Sequence, residues 1–292
     1  MRSAAARRLT ALVLTLAGAF AAVSCGNDDP EPVFTVGADA STESVVLAHV
    51  YAQALARTGL RTAVATGLAA PHADLDAGRV AVLGARTGAL LDRWQPAAPA
   101  RKPADVAAAV NGALPQGLTV SDPADGADLR PRVLLDPALA ARDGIASVAD
   151  LAPRCAGYTA GYADLPGLAA DPLGLRIDGC EFAASVRFPD AAELRKALRD
   201  GQVQAGVVAG PPALAGPAAE GLTVLGDSAY AVRAQNVLAL YHSGVFDRVE
   251  SRKLNYVSGE LTTDGLVELI RAVDAGTPAE VAARTWLDAH AL

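Results

Sequence analysis

The chain reads as an α/β protein of two lobes with a central cleft and a two-strand hinge. Three observations predict this. Short β-prone apolar runs alternate with amphipathic helical stretches from Val33 onward, the pattern of βα units that bring their connecting segments to one sheet edge. The pattern changes register from Leu118 and returns in its first style near Asn236. Residues 130–231 therefore read as one lobe inserted between the two parts, 33–129 and 232–292, of the other. Hydrophobic residues make up 51% and charged residues 20% of 292 residues, which suits packed cores and not disorder.

The first βα unit organises the rest. Val33, Phe34 and Val36 form a short apolar strand. Ser41, Thr42 and Ser44 then supply hydroxyls at a helix start, with Glu43 in the first turn where a negative charge suits the macrodipole. Val46, Val50 and Ala54, with Leu47, Tyr51 and Leu55, give that helix one broad inward face until Gly59 stops it. A strand that delivers a helix N-terminus to a sheet edge makes a small-ligand site, and ordinary βα packing is the competing reading of the same residues.

The following elements are read in order. Thr62 to Ala65 is a strand, Pro71 to Asp76 a short helix and Val80 to Leu83 a strand, followed by a Gly84 to Gly88 loop at a second polar helix start. Ala104 to Leu114 is a weak helix, and Leu118 to Val120 and Arg130 to Leu135 are strands. Pro137 to Asp143 is a helix closed by Gly144, and Ser147 to Leu151 is another helix start. Cys155 to Thr159 falls in the next strand, and Gly161 to Gly179 is a long surface connection. Ala191 to Arg199 is an amphipathic helix, and Ala205 to Ala209, Leu222 to Leu225 and Asn236 to Tyr241 are strands. Phe246 to Tyr256 and Leu261 to Val273 are helices, and Thr277-Pro278-Ala279-Glu280 starts the last one, with Thr277 as its capping hydroxyl and Trp286 on its packed side.

Residues 1–24 read as an address. Arg2, Arg7 and Arg8 precede an apolar run from Leu9 to Val23, and small residues lead into Cys25. This resembles a bacterial lipoprotein signal, although Ala22 stands where the lipobox usually has leucine. Cleavage there makes Cys25 a lipidated N-terminus, residues 25–32 a tether, and the chain a protein anchored by lipid on the outer face of the cytoplasmic membrane. A single uncleaved anchor helix is the competing reading. Cys155 and Cys180 remain as an even pair, and an exported chain makes a disulfide the economical assignment; two separate buried thiols or a metal site are the alternatives. A net charge of −7 with scattered Lys and Arg excludes a nucleic-acid partner.

With these residues in view, nearly the whole mature chain resembles the substrate-binding proteins of osmoprotectant importers, the ABC-transporter receptors for glycine betaine, choline and related quaternary amines. Thr35-Val36-Gly37 through Ser41-Thr42-Glu43-Ser44 is similar to the family's VGSKNFTEQ run, Arg86-Thr87-Gly88 to its YTGT, Ser147 to Leu151 to its SDL segment, and Leu254 to Thr263 to its L-N-x-x-S-x-x-L-T-T run. The resemblance implies a type II periplasmic-binding-protein fold, a small-molecule solute and docking on a membrane permease. A monomer without a cofactor is expected.

The pocket departs from the family's aromatic cage. Leu83 and Arg86 stand where the family has tyrosines, and Ser44 where it has glutamine, while aromatic residues total only 4%. A cationic Arg86 repels a cationic ligand and has the fork geometry for a carboxylate. The expected ligand-binding set is Ser41, Thr42, Ser44, Arg86 and Thr87, with Tyr158, Tyr162 and Tyr230, and Arg233, Gln235 and Asn236, as further wall residues. The expected solute is small and polar or carboxylate-bearing. Exposure of Arg86 at a rim, and simple packing of the tyrosines, are the plainer readings. Enzyme chemistry finds no support: the four histidines have no metal-ligand spacing, and neither a GxSxG elbow nor a GxxxxGK[ST] run is present. A lipoprotein that kept the fold but lost its solute, acting as a sensor or envelope interaction partner, is the second hypothesis.

Overall fold

Helix start signals in the sequence become real caps wherever a short polar side chain precedes an apolar stripe. Ser41 caps α1 (Thr42–Ala56) by accepting from Ser44 N–H, and Asp136 caps α5 (Pro137–Asp143) through Ala138 and Leu139 N–H. Ser147 with Asp150 forms a reciprocal capping box at α6 (Val148–Leu151), and Asp247 with Glu250 does the same at α8 (Arg248–Glu260). Asp190 caps α7 (Ala191–Arg199) and Thr262 caps α9 (Thr263–Asp274). The remaining helices are α2 (Pro71–Asp76), α3 (Thr87–Trp94), α4 (Pro103–Ala113) and α10 (Ala279–Ala289). At α10 the expected Thr277 cap is absent, because Pro278 occupies the N-cap position and no side chain bonds there.

The structure is a computed structural model and describes residues 32–169 and 177–292. The expected leader at 1–24, the Cys25 lipidation site and all of the 25–32 tether but Pro32 lie outside the described residues.

Two five-stranded sheets carry the helices. The first has the order β2-β1-β3-β10-β4, from β1 (Val33–Gly37), β2 (Arg61–Ala65), β3 (Val82–Arg86), β4 (Leu118–Val120) and β10 (Val237–His242). The second has the order β7-β6-β8-β5-β9, from β5 (Arg132–Leu135), β6 (Thr159–Ala163), β7 (Ala184–Arg187), β8 (Ala205–Val208) and β9 (Thr223–Val224). In the first sheet β1 runs parallel to both β2 and β3, so α1 and α3 begin at the same edge. β10 enters antiparallel between β3 and β4, which returns the late part of the chain to the first sheet.

The chain crosses between the sheets twice. Asp128 bridges Asn236, Leu129 N–H donates to Gln235 O, and the Asp128 carboxylate accepts from the N–H groups of Arg130 and Gln235 at 3.0 Å each. Arg130 closes the hinge by pairing with Asp128 and Asp227 and by lying 4.1 Å over the Tyr230 ring. This is a cation–π contact on a residue held at positive φ.

Three further expectations fail locally. Gly84 to Arg86 are not a loop: they pair with Ala239, Leu238 and Val237 as the end of β3, and α3 starts at once on Thr87. Cys155 lies in a 3-10 turn over Ala152–Gly157 and not in a strand, with Pro153 in its first turn. The disulfide to Cys180 is formed, with Cα atoms 5.3 Å apart. The 161–179 segment is not a surface connection where it is described. Gly161 to Ala163 finish β6, Leu165 and Leu168 are buried, and Ile177 bridges Val232. Trp286 packs in the core as expected.

Candidate functional site

The N-terminus of α1, the end of β3 and the start of α3 meet beside the hinge. They line a cavity of about 460 Å³, within the usual size of a small-molecule site. From α1 and the residues before it come Asp39, Glu43, Ser44 and Leu47; from α2 comes His72; from β3 and α3 come Gly84 to Arg86, Ala89, Leu90, Asp92 and Arg93. Gln235 closes the hinge side and Ala169 reaches in from the connection that follows β6. Among the described residues no Trp, Tyr or Phe lines this space, so the walls described lack the aromatic faces a quaternary-ammonium cage requires.

Local contacts fix each wall. Asp39 accepts from Ser41 N–H at 2.8 Å and from its hydroxyl at 2.6 Å, and Asp39 N–H donates to Ser44 Oγ at 3.1 Å. Gln235 Oε1 accepts from Ala89 N–H at 2.9 Å, stapling the hinge to α3. Gly88 makes that possible: a Cβ there would lie 2.5 Å from Ala234 O and 2.6 Å from the Gln235 side-chain nitrogen. Burial pushes the His72 imidazole below its ordinary value, Arg93 adds to that shift and Asp76 opposes it, which keeps the ring neutral near pH 7.

The charged groups of the cavity are largely matched within the chain. Arg86 Nε donates to Glu43 Oε1 at 2.8 Å and Nη2 donates to Oε2, with side chains only 11% and 4% exposed. Asp92 pairs with Arg233, which also donates to Ala98 O and Ala100 O. The fork of Arg86 thus engages a carboxylate of the protein itself, Glu43, where the sequence leads one to expect that of a solute. The segment after β6 completes this contact: Glu43 N–H donates to Gly167 O at 2.7 Å, and Ala169 N–H donates to Glu43 Oε2 at 2.9 Å.

Of the expected ligand-binding set, the structure brings Ser44, Arg86 and Gln235 to the cavity. Ser41 is the helix cap, and Thr42 donates to Asp274 at 2.8 Å. Thr87 is fully buried, with its hydroxyl accepting from Asn236 N–H at 3.0 Å, and the Asn236 amide donates to Ala124 O at 3.0 Å; both therefore serve the hinge. Tyr158 donates to Asp143 and packs in the second lobe's own core. Tyr162 lies on β6 and Tyr230 under Arg130, and neither lines the cavity. Glu43, Asp39, His72, Asp92 and Arg93 also line the cavity, and the sequence alone does not point to them.

Among the described residues no cluster of His, Cys, Asp and Glu could hold a metal ion, and no helix is long and apolar enough to cross a membrane. Residues 33–289 match the family described as OpuAC, the substrate-binding domain of the ABC-type glycine betaine transport system. No curated protein sequence matches the chain. Among solved structures, a glycine betaine/carnitine/choline ABC transporter protein is similar at 16% identity and a TM-score of 0.64, covering 88% of this chain and 98% of that one. Apo YehZ from Escherichia coli is similar at 17% identity and 0.60, with coverages of 88% and 98%. Lactococcal OpuAC, in a closed conformation complexed with glycine betaine, is similar at 15% identity and 0.51, with coverages of 89% and 96%. At these identities the likeness establishes the fold, a two-lobe type II periplasmic-binding-protein architecture.

Proposed function

Because the chain belongs to the OpuAC family of ABC-transporter substrate-binding domains, we propose that it is the extracytoplasmic solute receptor of an importer. In this reading Cys25 carries the lipid anchor, residues 33–129 with 232–292 and residues 130–231 form the two lobes, and the monomer docks on a membrane permease. The observation that carries it is the position of the cavity. It lies at the start of two parallel-sheet helices, against the hinge residue Gln235, and under Ala169 of the opposite lobe, where lobe closure would engulf a solute.

The lining favours a small polar solute over a quaternary amine. Ser44, Gln235 and neutral His72 offer hydrogen bonds, and the flanking ion pairs Glu43–Arg86 and Asp92–Arg233 are already neutralised. A thermal-shift panel of amino acids, amides, polyols and betaines on the mature chain tests this. One polar solute should raise the midpoint with saturation, since a binder at one hundred times its dissociation constant adds about 2.7 kcal/mol.

The contact of Glu43 with Gly167 and Ala169 favours a second reading, a lipoprotein whose cleft is held shut by its own chain and which serves as a sensor or envelope partner. Absence of a shift across the whole panel selects it.

A further inference from the structure

Three donors surround one carboxylate in the cavity wall, and the carboxylate belongs to the protein. Arg86 gives Nε and Nη2 to the two oxygens of Glu43, and Ala169 N–H gives a third bond at 2.9 Å. Glu43 is 3% exposed, so this is a desolvated carboxylate site in which charge-assisted hydrogen bonds are strong. The segment that supplies the third donor is built to reach it. Gly167 stands at φ +77°, and a Cβ there would lie 2.5 Å from Ile270 Cγ2, so only glycine lets that backbone approach α1 and α9 so closely.

We propose that Glu43 is the specificity-determining residue of the cleft. It fills, from within the chain, the position at which a solute carboxylate would bind Arg86. An intramolecular carboxylate held at high effective concentration outcompetes a free one. Carboxylate-bearing solutes are therefore turned away at this end, and the receptor selects their uncharged counterparts. This deepens the receptor reading and rests on it for its biological meaning, but the carboxylate site it predicts on removing Glu43 does not depend on any natural solute.

The test is chemical rescue of Glu43→Ala in the mature chain. The variant should melt below the native protein, and sodium acetate or formate should raise its midpoint with saturation, recovering roughly half of the loss at high concentration. Sodium chloride at equal ionic strength and acetamide should not, and the native protein should show no saturable acetate effect. Glu43→Gln, which keeps the side-chain volume, should not be rescued. If Glu43→Ala does not fold alone, refolding with acetate should give soluble protein where refolding with acetamide gives none. Equal acetate responses in variant and native protein, or no acetate response in the variant in either format, overturn the proposal. The solute panel on the native protein is read separately. A hit there with failed rescue sinks only the role of Glu43, and successful rescue with no hit sinks only the receptor.

Discussion

Replacing Arg86 by methionine leaves the Glu43 carboxylate in place, 4% exposed, with the Ala169 N–H still donating. Breaking a buried ion pair from one side costs about 3–5 kcal/mol, because the remaining charge is uncompensated. At roughly 2–4 °C per kcal/mol for a chain of this size, even the lower figure lowers the melting midpoint by about 6–12 °C. The double variant Glu43→Leu/Arg86→Met removes both charges and leaves the Ala169 N–H without its acceptor and the Ala169 carbonyl without the Arg86 donor at 3.4 Å, a cost of about 1–3 kcal/mol. The double variant should therefore be more stable than the Arg86→Met single variant. Denaturant unfolding followed by the fluorescence of Trp94 and Trp286 measures all four corners of this cycle. If the two single losses add to the double loss within about 0.5 kcal/mol, the pair is not coupled and the electrostatic account of the cleft fails.

Other perturbations follow from the same contacts. Reducing the Cys155–Cys180 bridge, whose cysteines are 25 residues apart, should cost about 3.5 kcal/mol in the chain-entropy picture, read as a lower midpoint in reducing buffer that a Cys155→Ala/Cys180→Ala variant reproduces without reductant. Asp128→Ala removes the acceptor shared by Arg130 and Gln235 N–H and the partner of the Arg130 guanidinium, and should cost about 2–4 kcal/mol, with faster amide exchange in residues 128–130 and 231–236. Burial lowers the imidazole pKa of both His49 and His72 from 6.5, with Glu280 opposing at His49. The folded state therefore binds fewer protons than the unfolded state between those lowered values and 6.5. Stability is full above about pH 6.5 and falls as the pH drops through the folded values. A His49→Gln/His72→Gln variant should show a flatter midpoint between about pH 7.5 and 5.5.

Much of the architecture could be read from local chemistry. α2, α5, α7 and β4 fall where proline, an amphipathic pattern or an apolar run places them, because those signals act within a few turns or one strand. Gly84 misled for the opposite reason: glycine reads as a turn, but here it lies in a strand where a Cβ would meet Leu47 at 3.0 Å, and only tertiary packing shows that. The segment after β6 misled in the same way, since its Gly, Pro and Leu content suits a surface loop while Leu168 fits beneath Gly210 of a distant turn. The cleft was legible as a place and not as a chemistry. Ser44, Arg86 and Gln235, expected from their positions at helix starts and the crossing, line the cavity. That Glu43 would turn from the helix dipole to Arg86, which follows it by 43 residues, is a through-space pairing that no sequence periodicity encodes. The hydroxyls of Thr42 and Thr87 are ambiguous in the sequence, because a polar side chain at a sheet edge can serve a ligand or the backbone, and in the structure both bond the protein's own framework.

The most direct test fills the space itself. Ala89 lines the cavity and is exposed at the start of α3, and its backbone N–H bond to Gln235 does not involve its side chain. Ala89→Trp should keep the native melting midpoint while abolishing calorimetric binding of whichever solute the panel identifies. Undiminished binding by a folded Ala89→Trp protein would contradict the account, because the solute would then sit somewhere other than between α1 and α3.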